Sequence, residues 1–152
     1  MTTPPAARPF HYSFYVRDLD EARRFYGTLL GCPEGRSTGT WVDFDFFGNQ
    51  ISCHLTGAMP VTRDTGKVDD VLVPMPHFGA VIGWDEFARL ADRLSAAGTA
   101  FIIAPRLRYA GKPGEQMTMF FRDPAGNALE FKAFRREEEI FLDWVQAKAD
   151  RA

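Results

Sequence analysis

Apolar and polar residues alternate with a period of two in several short stretches of this chain, which predicts strands. The period lengthens to a helical one in few places. Phe10 to Val16 (FHYSFYV) reads as a buried strand, with His11, Ser13 and Tyr15 on one face and His11 turned inward. Glu21 to Leu30, opened by a capping Asp and closed by Gly31, carries Ala22, Phe25, Tyr26, Leu29 and Leu30 at helical spacing. After a loop from Pro33 to Gly39, Thr40 to Phe47 and Asn49 to Leu55 read as strands joined around Gly48-Asn49. Strict alternation puts Cys53 on the face opposite His54.

Gly57 to Val73 is polar and turn-rich and reads as a connector, after which the order begins again. A strand opens with histidine at Pro76-His77, and a helix starts at Asp85-Glu86 and ends at Gly98. Phe101 to Ala104 is a strand, and Arg106 to Glu115 is a loop or hairpin punctuated by glycine and proline. Met117 to Lys132 then forms strand, turn and strand around Asp123-Pro124-Ala125-Gly126-Asn127. Each half is therefore strand, helix, strand, strand, strand, and such a repeat implies two units of one plan. The division expected is a tail at 1–9, a first module at 10–56, a linker at 57–74, a second module at 75–134 and a charged helix at 135–152. That helix has Ile140, Phe141, Trp144 and Val145 as its apolar side. The expected class is α+β, with two βαβββ modules.

Composition narrows the partner. The 152 residues are 45% hydrophobic, enough for one ordinary domain or two small modules, and the formal charge of -2 without a basic run gives nucleic acid or an anionic membrane no attraction. A small molecule is the expected partner. Cys32 and Cys53, with neither a secretory signal nor a long apolar stretch in view, fit reduced thiols and a cytoplasmic location.

Glu130 is the residue out of place. It lies between Leu129 and Phe131 in what should be a buried strand, so its carboxylate needs a partner there. Lys132, two residues on, shares its face and could form a salt bridge. The three histidines of the chain, His11, His54 and His77, fall at what look like corresponding places in the repeat, with Glu130 at the fourth. One strand histidine is ordinarily a hydrogen-bonded core residue. Three, with a buried glutamate, make a ligand set for iron, nickel, zinc, manganese or cobalt, and a divalent ion is the partner that makes the carboxylate tolerable. Arg106, Arg108 and Lys112 form a basic stretch suited to an acidic substrate, although a solvated loop has the same composition.

The opening His-x5-Arg-Asp-Leu-Asp-Glu-Ala with Phe25-Tyr26 and Leu30-Gly31, and the closing Phe121-Arg122-Asp123-Pro124-Ala125-Gly126-Asn127-Ala128-Leu129-Glu130-Phe131, resemble the vicinal oxygen chelate superfamily. That group includes glyoxalase I, extradiol ring-cleavage dioxygenases and bleomycin- and fosfomycin-resistance proteins. The resemblance implies a curved mixed sheet around a metal cleft, one divalent ion per site with iron(II) the first choice, a substrate with vicinal oxygens, and a homodimer. Carried over residue by residue, it places ligands at His11, His77 and Glu130, with His54 either a fourth ligand, as in glyoxalases, or an uncoordinated acid-base group, as in extradiol enzymes that also use O2. Ring-cleavage enzymes have a substrate-binding tyrosine where Phe120 stands, and the preceding loop offers Arg108, Tyr109 and Lys112 in place of their additional histidine, with Tyr109 as the substitute catalytic group. The resemblance therefore implies Fe(II) extradiol cleavage first, a glyoxalase-type lyase or isomerase second, and a bleomycin-resistance-type binding protein without metal third.

Overall fold

The computed structural model describes residues 7–143, which fall into two compact units divided between Pro60 and Val61. Each unit contains a four-stranded mixed sheet with one helical layer on one face, so the α+β class and the two-module plan hold. No helix of the described residues is long and apolar enough to cross a membrane.

In the first unit, β1 (His11–Val16) runs parallel to β4 (Asn49–Leu55), followed in the sheet by β3 (Trp41–Phe46) and β2 (Glu34–Ser37). Strand β2 lies where the sequence suggests a loop; all four of its residues are exposed, so it lacks the alternation that betrays a half-buried strand. Asp18 caps α1 (Leu19–Ala22) by accepting from the Glu21 backbone N–H at 2.7 Å. The helix then widens into a π-helical segment, Arg23–Leu29, marked by the Leu30 N–H bonding the Phe25 carbonyl five residues back. This widening turns Phe25 and Tyr26 together into the core. Tyr26 is fully buried, its ring centroid 5.6 Å from Phe14, 4.8 Å from Phe25 and 5.8 Å from Phe44. The β3–β4 turn places Phe47 and Gly48 both at positive φ, as a two-residue hairpin requires.

Alternation therefore gives the first sheet two unlike faces. Phe14, Val16, Val42, Phe44, Ile51 and Cys53 pack under the helical layer, with Cys53 opposite His54 as expected. His11, Ser13, Tyr15, Gln50, Ser52 and His54 share the other face. The first strand is thus half-buried rather than buried throughout: His11 and Tyr15 are exposed on their unit.

In the second unit the sheet order is β7 (Phe78–Val81), β10 (Ala128–Phe134), β9 (Gln116–Arg122), β8 (Ile103–Arg108). Its apolar face, with Met119, Phe121, Leu129 and Phe131, packs against Phe87, Leu90 and Leu94 of α2 (Trp84–Ala96). Gly79 is the closest approach in this sheet: a Cβ there would lie 1.5 Å from the Glu130 carbonyl oxygen, so only glycine fits.

The expected linker is structured. Within it β5 (Arg63–Val68) and β6 (Val71–Met75) form a hairpin whose Val68, Val71 and Val73 pack with Ile102, Ile103 and Phe120. Ion pairs hold both its ends: Arg122 with Asp64 at 3.3 Å, and Arg106 and Arg108 with Asp69 at 2.6 and 3.1 Å. Strand β8 also runs on to Arg108, inside the stretch expected to be loop. Among the described residues beyond Phe134 the only helical element is a 3-10 turn, Glu137–Glu139; half of the expected terminal helix, with Trp144 and Val145, lies outside the described residues, as do residues 1–6 of the tail.

Candidate functional site

The polar face of the second sheet holds the misplaced carboxylate. Glu130 pairs in register with Phe120 on one side and Gly79 on the other, and its side chain is about nine-tenths buried. Its Oε1 accepts from the Thr118 hydroxyl at 2.8 Å, and its Oε2 lies 3.2 Å from His77 Nε2. Lys132 is at 3.7 Å from Oε1, a looser pairing than either. His77 sits just before β7, where its Nδ1 meets the Pro74 carbonyl at 2.8 Å. A carbonyl only accepts, so Nδ1 carries the hydrogen and Nε2 is the atom turned to the carboxylate. Two lone-pair-bearing atoms at that separation need a proton or a cation with them.

The walls of this place are unequal. Phe120 is fully buried, its ring 4.9 Å from the His77 ring in an edge-on arrangement, and it supplies an apolar side with no polar contact. On the open side a depression of about 200 Å³ is lined by His77, Gly79, Val81, Glu130 and Lys132.

The first unit presents His11 in a similar way. Its Nδ1 is 2.8 Å from Gln50 Oε1, and the Gln50 amide nitrogen donates to Asp43 Oδ2 at 3.4 Å. A carboxylate accepts only, so the Gln50 oxygen faces the imidazole and Nδ1 again carries the hydrogen. His11 Nε2 is left as an acceptor, 3.1 Å from the Ser13 hydroxyl. Asp43, buried between Val42 and Phe44, anchors this network by accepting from Ser52 Oγ at 2.5 Å, with Arg36 at 3.4 Å. Asp43, Gln50 and Thr118 were not singled out in the sequence. A carboxylate alternating with apolar residues in Trp41–Phe46 was the available signal for Asp43, of the same kind that marks Glu130.

His54 stands apart from His11 on this face. The register pairs His11 with Gln50 and His54 with Tyr15, four residues along, or roughly 13 Å at 3.3 Å per residue. The expected correspondence of His54 with Glu130 is therefore corrected. His11 in β1 matches His77, so Ser13, opposite Ser52, matches Gly79, opposite Glu130; the counterpart of Glu130 is Ser52, and His54 answers to Lys132. The His54 ring lies 6.4 Å from that of Trp41. Among the described residues no group of three or more His, Cys, Asp or Glu side chains is arranged to hold a metal ion; His77 and Glu130 are brought together at 3.2 Å, and His11 and His54 lie four residues apart along one face.

The basic residues separate into two places. Arg108 forks onto Asp69, Nε and Nη2 each at 3.1 Å, and donates to the Tyr109 hydroxyl at 2.8 Å with its guanidinium 4.8 Å from that ring. Tyr109 has a positive φ, at the start of the β8–β9 loop. Lys112 belongs instead to a depression lined by Glu115, Arg135, Arg136 and Glu139. Glu115, which accepts from the Gly111 backbone N–H and then from Arg135, has its pKa held below the usual carboxylate range by those two bonds.

Residues 8–131 match the family described as the Glyoxalase/Bleomycin resistance protein/Dioxygenase superfamily. A solved glyoxalase/bleomycin resistance protein/dioxygenase from Alicyclobacillus acidocaldarius is 31% identical, over 92% of this chain and 99% of that one, with a TM-score of 0.72. A genomically encoded fosfomycin resistance protein, FosX, from Listeria monocytogenes shares the fold at 19% identity, over 88% and 98% of the two chains, with a TM-score of 0.66. So does a glyoxalase/dioxygenase from Nostoc punctiforme, at 18% identity over 90% and 97%, with a TM-score of 0.63.

Proposed function

The chain belongs to the Glyoxalase/Bleomycin resistance protein/Dioxygenase superfamily, and on that premise we propose that it is a metal-dependent enzyme cleaving a vicinal diol of the catechol class, with one divalent ion held by His11, His77 and Glu130. The observation that carries this is the presentation of the two imidazoles. Each has Nδ1 bonded to a carbonyl-type oxygen at 2.8 Å, Gln50 for His11 and Pro74 for His77, which leaves the lone pair on Nε2, beside the Ser13 hydroxyl in His11 and beside Glu130 in His77. Thr118 orients the Glu130 carboxylate beside one of them. Two imidazoles and one carboxylate with these supports fit iron(II) first, and nickel, zinc, manganese or cobalt as well. Such an ion, when bound, supplies Lewis acidity toward a chelating diol and, as iron(II), redox chemistry toward O2.

The protein side of the chemistry is division of labour. Phe120 keeps water from one flank of His77, and the depression beside Gly79 and Val81 leaves room on the other. In this reading His54 is the acid-base group that takes the diol proton and later returns it. A four-ligand glyoxalase-type site asks His54 to share the ion with His11, and the four-residue offset on one face argues against it. Tyr109 and Lys112 are given no step, because their contacts lie with Arg108 and the Glu115 loop. A homodimer is part of the proposal, and light scattering at twice the chain mass checks it.

The test is metal analysis of untagged protein, anaerobic reconstitution with Fe(II), and oxygen uptake over a panel of catechols. The hemithioacetal of methylglyoxal and glutathione runs beside it. Uptake with a catechol supports the proposal. Turnover of the thioacetal alone moves the enzyme to the glyoxalase type, and no metal uptake at all leaves a binding protein.

A further inference from the structure

Asp69, at the tip of the β5–β6 hairpin, is gripped by two arginines of β8. Arg106 Nη2 is 2.6 Å from Oδ2, and Arg108 forks onto Oδ1 and Oδ2 at 3.1 Å each. One carboxylate leaves this pair of guanidiniums with a net positive charge. A donor is also left over: Arg106 Nε is buried and has no hydrogen-bond partner among the described residues. Both arginines stand on the same sheet face as Glu130. Arg106 pairs with Thr118, Arg108 with Gln116, and Thr118 in turn with Lys132, two residues along from the Glu130–Phe120 pair. Two strands and two residues separate Arg106 from Glu130, about 12 Å between Cα atoms at ~4.8 Å per strand and ~3.3 Å per residue.

We propose that Arg106 and Arg108 anchor a carboxylate carried by the substrate, and that Asp69 is the internal occupant of that anchor. The class follows from the occupant. The fork of Arg108 Nε and Nη2 on two coplanar oxygens is the geometry a carboxylate satisfies with both its atoms, and Asp69 already does so. Asp69 is a turn residue with positive φ, at the tip of the hairpin beyond the packed Val68–Val71 pair, and its side chain is about two-fifths exposed. An incoming carboxylate can therefore replace it by exchanging one set of charge-assisted bonds for another, and the hairpin tip is released as it does so. This deepens the proposed function, on which it rests: the substrate becomes a vicinal diol bearing a carboxylate on the same ring or chain.

Benzoate, which has the carboxylate and no vicinal diol, is the probe for the anchor alone. Isothermal titration with chelator-treated full-length protein should give binding that is about tenfold tighter in Asp69→Asn than in wild type, since the internal competitor has lost its charge. Adding Arg108→Gln to Asp69→Asn should remove the gain. Inorganic phosphate should compete less well than benzoate. Equal affinity in wild type and Asp69→Asn, an undiminished gain in the double variant, or phosphate binding as tightly as benzoate would each overturn the proposal. Arg108→Gln alone keeps the Arg106–Asp69 bond and gives a readout should Asp69→Asn not fold: with the metal restored, it should erase the preference of wild type for 3,4-dihydroxybenzoate over catechol, and retention of that preference also overturns it. Benzoate binding without metal uptake would remove the metal reading and leave the anchor, whereas metal uptake without benzoate binding would do the reverse.

Discussion

Replacing Thr118 by valine keeps the shape of a fully buried residue and deletes one hydroxyl, the group that donates to Glu130 Oε1 at 2.8 Å. A hydrogen bond to a charged partner contributes about 1.5–3 kcal/mol net, and at 1.4 kcal/mol per decade this becomes roughly 10- to 100-fold if it all bears on ion binding. The lower figure is enough to measure. At an ion concentration of about 100 times Kd a bound ion stabilises the wild type by roughly 2.7 kcal/mol; a tenfold weaker Kd reduces that to about 1.4 kcal/mol. Chelator competition against Co(II) or Zn(II) gives Kd directly, and melting with and without excess ion gives the linked stabilisation. If the partner of Glu130 is instead a protonated His77, Thr118→Val lowers the melting temperature equally with chelator and with metal. A Kd within twofold of wild type would refute the claim that Thr118 orients a ligand.

Three further outcomes follow from single contacts. Gly79→Ala should destabilise the second unit by about 3 kcal/mol or more, because the added Cβ meets backbone, not a movable side chain; an unchanged urea midpoint would disprove the close approach. Gln50→Leu removes the acceptor that holds His11 Nδ1, so metal affinity should fall by about tenfold in the same chelator competition, and an unaltered Kd would show that His11 is not presented through that bond. Glu115 is a carboxylate with a depressed pKa, so its stabilising contribution is present above its unfolded pKa and is lost as pH falls through the folded value. Glu115→Gln should therefore melt lower than wild type near neutral pH, with the gap closing below about pH 4; a gap that persists in acid would contradict the assignment.

Much of the architecture was legible because burial writes a period into the chain. The alternation of β1, β3, β4 and β10, the apolar run of β9, the 3.6-residue spacing of α2, and the glycines that close the turns all carry a physical signal. Strands β2 and β5 carry less of it, since most of their residues are exposed, and the pairing of β6 with β5 is visible only in three dimensions. Glu130 was found from its neighbours Leu129 and Phe131, and its contacts with Thr118 and His77 give such a carboxylate the partners it requires.

The place of His54 shows how far periodicity reaches. Residues two apart in a strand share a face, so His54 and Ser52 satisfy the same alternation, and a pattern of faces cannot distinguish them. Only register can, and here the landmark was in the sequence: counting from Asn127 in Gly126-Asn127, Glu130 is the third residue on, and the same count from Asn49 in Gly48-Asn49 ends on Ser52. The parallel pairings of Ser13 with Ser52 and of Gly79 with Glu130 agree with that count. The corresponding positions of the two units therefore differ: His11 and Ser52 in the first, His77 and Glu130 in the second. For the proposed metal site this inequality favours three protein ligands over four, and the proposal therefore gives His54 a proton to move rather than an ion to hold.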